Sequence, residues 1–152
     1  MSSGIKVSDA CFDAFTDFKE GHKYKFVIYK INDDASEVVV ESTSADDVKD
    51  AQGNVVPRKE TEYEEFISRL PSNAGRFAVY DFDYEVEGGK RNKILFYAWA
   101  PDTAGVRSKM LYASTKSSLR TRLVGISADI QATDADGLAH DEVLATLMSK
   151  FK

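Results

Sequence analysis

Two consecutive strand-like segments constrain the fold of this chain more than any other feature of its sequence. In Arg76–Glu87 (RFAVYDFDYEVE), aromatic and acidic residues alternate through the second half, a pattern typical of a strand with one face in water. Lys93–Ala100 (KILFYAWA) is apolar almost throughout, which is typical of a strand covered on both faces. Gly88-Gly89 predicts the hairpin turn between them. We therefore expect an α/β or α+β fold, in which helices cover both faces of a mixed central sheet.

Hydrophobic periodicity and turn residues predict the other elements around this hairpin. The helices are predicted at Ser8–Glu20, Glu62–Leu70, Val106–Val124 and Asp136–Lys150, the remaining strands at Tyr24–Asn32, Glu37–Thr43 and Asp129–Ala132, and a surface loop at Ala45–Thr61. A chain of 152 residues has the length of one domain, and we expect residues 1–152 to form it.

Residues with catalytic or metal-binding potential are few. The chain has one cysteine, Cys11, on the apolar face of the first predicted helix, and two histidines, His22 and His140, without metal-ligand spacing. The sequence contains no phosphate-binding glycine motif and no nucleophile elbow. The acids of Asp81–Glu85 alternate with aromatic residues and fit the wet face of a strand. We predict a protein that is not an enzyme and that holds no metal or cofactor.

The sequence also bears on location. No apolar run approaches the roughly 20 residues that a membrane-spanning helix needs, and the N-terminal MSSGIKVSD lacks the apolar centre of a signal peptide. A single cysteine suits a reducing compartment. We expect a cytoplasmic protein without a transmembrane segment. The chain has no basic cluster of the kind that marks a nuclear import signal, so the sequence leaves entry into the nucleus open.

Charge is distributed unevenly along the chain. The total is −5, from 20 Lys and Arg against 25 Asp and Glu, yet Gly88–Ala128 holds eight cations and a single acid, Asp102. We expect the cations of the hairpin and of the following helix to form one exposed patch, free to bind a partner. Acidic protein surfaces and phosphoinositide headgroups both fit such a patch. Nucleic acid is disfavoured, because the rest of the chain would repel a long polyanion.

Four stretches carry a resemblance to a known family: Lys23–Tyr29, Tyr80–Glu85, Gly89–Trp99 and Trp99–Lys116. They resemble the actin-depolymerising factor/cofilin family, and fungal cofilins most of all, and the likeness runs in order from Ser3 to about Met148. The resemblance implies the ADF-homology fold and a monomeric protein of the cortical actin cytoskeleton. Such a protein binds actin monomers and filaments, prefers ADP-bound subunits, and promotes severing and depolymerisation.

The resemblance also implies site residues. Contacts with both monomer and filament are expected from Ser3, Gly4, Ile5, Arg107, Lys109, Met110, Lys116 and Arg120, and additional filament contacts from Lys90, Arg91, Lys93, Glu142 and Lys150. Ser3 resembles the family's regulatory phosphorylation site, with Ser2 as a rival acceptor. A helix that lays Met110 into a groove while its cations meet an acidic rim fits this assignment physically.

Two alternatives stay open. A peripheral phosphoinositide-binding module would use the same basic face, and a coactosin-like or glia-maturation-factor-like member would bind without severing. The sequence departs from the family pattern at Gly105, where proline is usual, in the longer Ala45–Thr61 loop, and at Ala145 and Thr146, where charged residues are common. The last departure weakens the expected C-terminal filament contact.

Overall fold

The computed structural model describes residues 4–46, 49–57 and 61–150. Its elements, in chain order, are β1 (Lys6–Val7), α1 (Asp9–Lys19), β2 (Phe26–Ile31), β3 (Glu37–Thr43), α2 (Glu62–Ser68), β4 (Arg76–Val86), β5 (Gly89–Trp99), α3 (Val106–Arg122), β6 (Ala128–Ala132), α4 (Ala135–Leu138) and α5 (His140–Lys150).

The six strands form one mixed sheet in the order β1-β3-β2-β4-β5-β6. The three central pairs, β3 with β2, β2 with β4 and β4 with β5, are antiparallel, whereas the edge strands β1 and β6 run parallel to their neighbours. A parallel neighbour requires a crossover connection, and α3 supplies it between β5 and β6. The mixed sheet expected from the sequence is confirmed.

Helices cover both faces of the sheet, as the apolar run of β5 predicts. On one face, α1 and α3 pack over the odd-numbered β4 residues; this cluster includes Cys11, Phe15, Phe18, Phe77, Phe96, Tyr112, Leu119 and Leu123. On the other face, α2, α4 and α5 pack over the even-numbered β4 residues; this cluster includes Tyr63, Phe66, Tyr80, Phe82, Leu138, Val143 and Leu147. Alternate β4 residues therefore face different helices, which fixes the side of every cross-strand neighbour.

The β4–β5 hairpin turns one residue earlier than predicted. Val86 pairs with Gly89, so the two loop residues are Glu87 and Gly88, with φ of 51° and 79°. Two residues of positive φ match a type I′ turn, whose twist suits a two-residue hairpin. Gly89 therefore begins β5 instead of completing the turn, and β5 extends four residues before Lys93, the predicted start.

The C-terminal helix predicted over Asp136–Lys150 is divided in two. Ala139 separates α4 from α5 with an extended backbone, at φ −57° and ψ 139°. The hydroxyl of Tyr63 donates to the carbonyl of Leu138 at 2.6 Å, which satisfies a group that the break exposes. Burial raises the pKa of Tyr63 to about 12, so this hydroxyl keeps its proton at physiological pH.

Three smaller features complete the fold. Strand β1 was not predicted, because two residues carry no periodic pattern. Cys11 is fully buried, as expected from its place on the apolar face of α1, and burial raises the pKa of its thiol. Within the described part of the Ala45–Thr61 loop, Asp50 accepts hydrogen bonds from the backbone of Gln52 and Asn54, and Lys49 bridges to Val55.

Candidate docking surfaces

Helix α3 packs on the sheet with one side and faces solvent with the other. Tyr112, Thr115 and Leu119 are buried at helical spacing, and the hydroxyl of Tyr112 accepts a hydrogen bond from the backbone of Ile31 at 2.9 Å. On the opposite stripe, Val106 is 75% exposed and Met110 is 66% exposed. The exposed stripe continues in small side chains: Ala113, Ser117 and Thr121. Because these side chains are small, a partner can approach the helix backbone closely in the part of α3 that follows Val106 and Met110.

The cations of α3 lie on two flanks of this exposed stripe. At 100° per residue, Lys109, Lys116 and Arg120 share the flank next to β6. Arg107 and Arg122 lie on the other flank, and the guanidinium of Arg122 is 5.9 Å from the ring centre of Phe12 in α1. An apolar and small-residue stripe with cations on both sides suits an acidic partner surface that contains a groove.

One of these cations is already paired. Arg120 Nε donates to Asp129 Oδ1 in β6 at 2.8 Å. The expectation that all cations of the helix are free for a partner is therefore wrong at Arg120. This ion pair depends on the tertiary structure. Residues 103–128 contain no acid, and β6 brings Asp129, the first acid after them, beside the helix.

The N-terminal segment lies against α3. Lys6 and Val7 pair with β3, and β1 contacts α3. Gly4 is exposed, with φ of 82°, whereas Ile5 is only 6% exposed and packs in the same core cluster as α1 and α3. The structure thus places the segment that follows Gly4 against the helix and points the side chain of Ile5 inward, where it anchors the segment. Ser3 lies outside the described residues.

A crevice of about 530 Å³ separates the first half of α3 from the β2–β3 turn. Arg107 lines one wall, and Asp33 and Asp34 line the other. Its floor is rigid, since Arg76 makes two hydrogen bonds to Glu41, at 2.9 and 3.0 Å.

We call the exposed residues of α3, together with Gly4, the helix surface.

The hairpin cations lie elsewhere. Arg91 pairs across the ladder with Tyr84 and Lys93 with Phe82, so both lie on the α2 and α5 face of the sheet. Lys90 lies opposite Glu85, on the α1 and α3 face. Because β5 has 11 residues, at about 3.3 Å each, the hairpin tip and the start of α3 are roughly 35 Å apart. The prediction of one continuous patch is therefore wrong. The hairpin and α3 follow each other in sequence, but the length of β5 separates them in space.

The face that holds Arg91 and Lys93 also carries α5. Glu142 and Lys150 are exposed on that helix, as are Ala145 and Thr146, and Met148 is 40% exposed. Of the residues predicted for the additional filament contacts, Arg91, Lys93, Glu142 and Lys150 therefore share a face of the sheet, whereas Lys90 lies on the other face. We call Arg91, Lys93 and the exposed residues of α5 the hairpin surface.

The part of the chain that the structure describes contains no group of three or more metal-binding side chains. His140 stacks on Phe82, with ring centres 4.8 Å apart. Among the same residues, no helix combines the length and apolar character needed to cross a bilayer. The geometry at both surfaces is that of docking, with exposed apolar and charged side chains on rigid elements.

Comparison with known proteins identifies the family. Residues 4–148 match the family described as cofilin/tropomyosin-type actin-binding protein. The chain belongs to this ADF/cofilin family. It is 51% identical over 144 residues to the cofilin of Ogataea parapolymorpha, covering 93% of this chain and 91% of the relative. It is 43% identical over 141 residues to actophorin of Acanthamoeba castellanii, covering 93% of each chain. The crystal structure of Streptomyces griseoflavus cofilin superposes with a TM-score of 0.79 at 39% identity, over 94% of this chain and 96% of that one.

The resemblance stated from the sequence and the ADF-homology fold are thereby confirmed. Actin binding and actin depolymerisation are the functions of this family. Sequence reasoning missed two residues: Val106, which belongs to the helix surface, and Asp129 of β6, which pairs with Arg120 of that surface. Val106 lies one turn before Met110, and its i, i+4 spacing opposite the buried stripe was a usable signal. Asp129 gave no such signal, because its neighbour is set by the fold.

Proposed function

We propose that this protein binds actin monomers and filaments through the helix surface and, on filaments, makes a second contact through the hairpin surface. The observation that carries the proposal is the exposed pair Val106 and Met110, between the cations Arg107 and Lys109, on a helix fixed to the core. Exposed apolar groups of this size mark docking sites, and cations beside them steer an acidic partner. The family assignment makes that partner actin.

The two surfaces would give the protein a contact on filaments that a single actin monomer does not offer. They lie on opposite faces of the sheet, so one molecule can contact two neighbouring subunits at once. A protein that binds one filament geometry better than another shifts the filament toward it by the difference in binding free energy. We infer that severing, depolymerisation and the preference for ADP-bound subunits follow from such differential binding. The chain acts by binding, as one domain and as a monomer, in the cytoplasm and at cortical actin, with a nuclear pool allowed.

Regulation would act on the helix surface. A phosphate on Ser3 adds about −1.5 to −2 charges next to Gly4, just before the strand β1 that contacts α3, and would repel an acidic actin surface. Phosphoinositide headgroups would compete for the same cations, chiefly Arg107, Lys109 and Lys116. Both effects weaken actin binding by changing charge, without altering the fold.

Co-sedimentation with ADP-actin filaments at low salt, combined with microscopy of filament length, tests this function. We expect the wild-type protein to pellet with filaments and to shorten them. Failure to pellet would overturn the proposal. Binding without shortening would favour a non-severing, coactosin-like mode, which the uncharged Ala145 and Thr146 on α5 make worth testing.

A further inference from the structure

A crevice of about 450 Å³ opens between the start of α2, the middle of β4 and the start of α5. Its floor is aromatic, made of the buried rings of Tyr63, Tyr80 and Phe82. The ring of Tyr63 stands edge-on to the other two, with ring centres 5.1 and 5.6 Å apart, and His140 lines the crevice while stacking on Phe82. These ring contacts tie three elements together, so the crevice is preformed.

The two walls of the crevice differ in how their charges are paired. On the β4 side, Lys25 Nζ donates to Asp83 Oδ2 at 2.6 Å and lies 5.7 Å from the ring centre of Tyr80. On the α2 side, Glu62 and Glu64 are exposed, and neither makes an ion pair with any residue in 4–46, 49–57 or 61–150. The charge that remains unpaired in the crevice is therefore negative.

The hydroxyl of Tyr80 lies between these walls. The residue is only 4% exposed, and its hydroxyl makes no hydrogen bond to any described residue. Burial raises the pKa of Tyr80, and the negative charges of Glu62 and Asp83 raise it further, so the group keeps its proton and lies near both walls. Buried hydroxyls are normally hydrogen-bonded, and this one therefore indicates a ligand with a polar group at the floor of the crevice.

Lys25 shows within the molecule which chemistry the crevice suits. Its ammonium group contacts a carboxylate and at the same time lies over an aromatic ring. The α2 side offers a second cation the same combination, because Glu62 and Glu64 stand above the aromatic floor with no cation of their own. An anion, in contrast, would meet two unpaired carboxylates of its own sign.

We propose that this crevice binds an Arg or Lys side chain from a basic segment of a second protein. The cation meets Glu62 and Glu64 and donates to the hydroxyl oxygen of Tyr80, while its hydrocarbon stem packs on the aromatic floor. The partner differs from actin, because the helix surface and the hairpin surface present cations to an acidic partner, whereas the crevice presents carboxylates. The site does not depend on the proposed actin contacts.

His140 reports on the crevice, because the chain has two histidines and His22 is not among the lining residues. The ring C–H signals of both are followed at fixed pH while acetyl-Gly-Arg-Gly-amide is titrated into the protein. The comparison peptide carries citrulline, which has nearly the same shape as arginine and no charge. We expect a saturable shift of His140 with a Kd of roughly 1–10 mM, about three- to tenfold weaker binding of the citrulline peptide, and little change at His22.

Two matched double variants assign the charge effect to the α2 side of the crevice. Glu62→Gln with Glu64→Gln should remove the advantage of the arginine peptide. Asp13→Asn with Asp17→Asn removes two exposed carboxylates from α1, on the other face of the sheet, and should leave the advantage intact. Co-sedimentation of the glutamine variant with actin filaments should match that of the wild type, and a decrease would overturn the assignment to a partner other than actin.

A single variant tests the sign of the ligand's charge. Lys25→Ala leaves Asp83 without its ion-pair partner, so the arginine peptide should bind about two- to fivefold more tightly. Weaker binding to Lys25→Ala, equal affinity of the wild type for the two peptides, or no saturable shift of His140 would overturn the proposal. Because the titration contains no actin, its outcome is independent of whether the helix surface binds actin.

Discussion

The helix surface and the hairpin surface differ in what holds them in place. The helix surface sits on a core-packed helix, whose buried stripe of Tyr112, Thr115 and Leu119 fixes the direction of every exposed side chain. The cations of the hairpin surface stand on strands that run past the aromatic core toward a two-residue turn. The helix surface is therefore held by packing and the cations of the hairpin surface by the turn between their strands, so mutations can address them separately.

The largest effect is expected from Arg107→Ala combined with Lys109→Ala. Losing two cations beside Val106 and Met110 should weaken both monomer and filament binding by about 30- to 100-fold, or roughly 2–3 kcal/mol. Monomer affinity by fluorescence and filament affinity by co-sedimentation measure this loss. The thermal midpoint should stay unchanged, because Arg107 is exposed.

The matched control removes two exposed cations outside both surfaces, as Lys23→Ala with Lys49→Ala. This control should bind actin as the wild type does. An equal loss in the control would mean that net charge, and not the helix surface, determines binding.

A smaller and selective effect is expected from Arg91→Ala combined with Lys93→Ala. Filament binding should fall about tenfold while monomer affinity stays the same, because these residues lie on the face away from α3. Co-sedimentation and a monomer titration on one protein preparation give both numbers. A parallel decrease of the two affinities would contradict the assignment of separate surfaces.

The sequence is sufficient to predict on which side of the sheet the hairpin cations lie, but not that they are separated from the cations of α3. Alternation in β4 places Tyr84 on the covered face, and the side on which Arg91 lies then follows from its ladder partner. The prediction of one patch is wrong because the distribution of charge along the chain does not reveal how far β5 separates the hairpin turn from α3. Ile5 and Asp129 could not be predicted, since their surroundings depend on β1 and β6, which are short edge strands set by distant partners.

A modest gain in affinity is expected from Asp129→Asn. The change removes the acid that holds Arg120 and frees its guanidinium for an acidic partner, so actin binding should tighten about two- to fivefold at low salt. The gain should shrink as salt is added, because screening weakens exposed pairs. Asp136→Asn, which removes the same charge on α4, is the control and should change binding little. Weaker binding in Asp129→Asn would show instead that the ion pair positions Arg120 for its partner.

The smallest effect concerns the turn that supports the hairpin surface. Glu87 adopts φ of 51°, a region that costs energy for a residue other than Gly, Asn or Asp, so Glu87→Asn should stabilise the protein by about 0.5–1 kcal/mol. Chemical denaturation measures the gain, and Glu85→Gln, which removes the same charge within regular strand backbone, should not reproduce it. A stiffer turn holds Arg91 and Lys93 in their ladder positions, so filament binding should be kept or slightly improved while monomer binding is untouched. If Glu87→Asn destabilised the protein, the turn would depend on the glutamate side chain, and the hairpin surface would be held by a contact other than its backbone geometry.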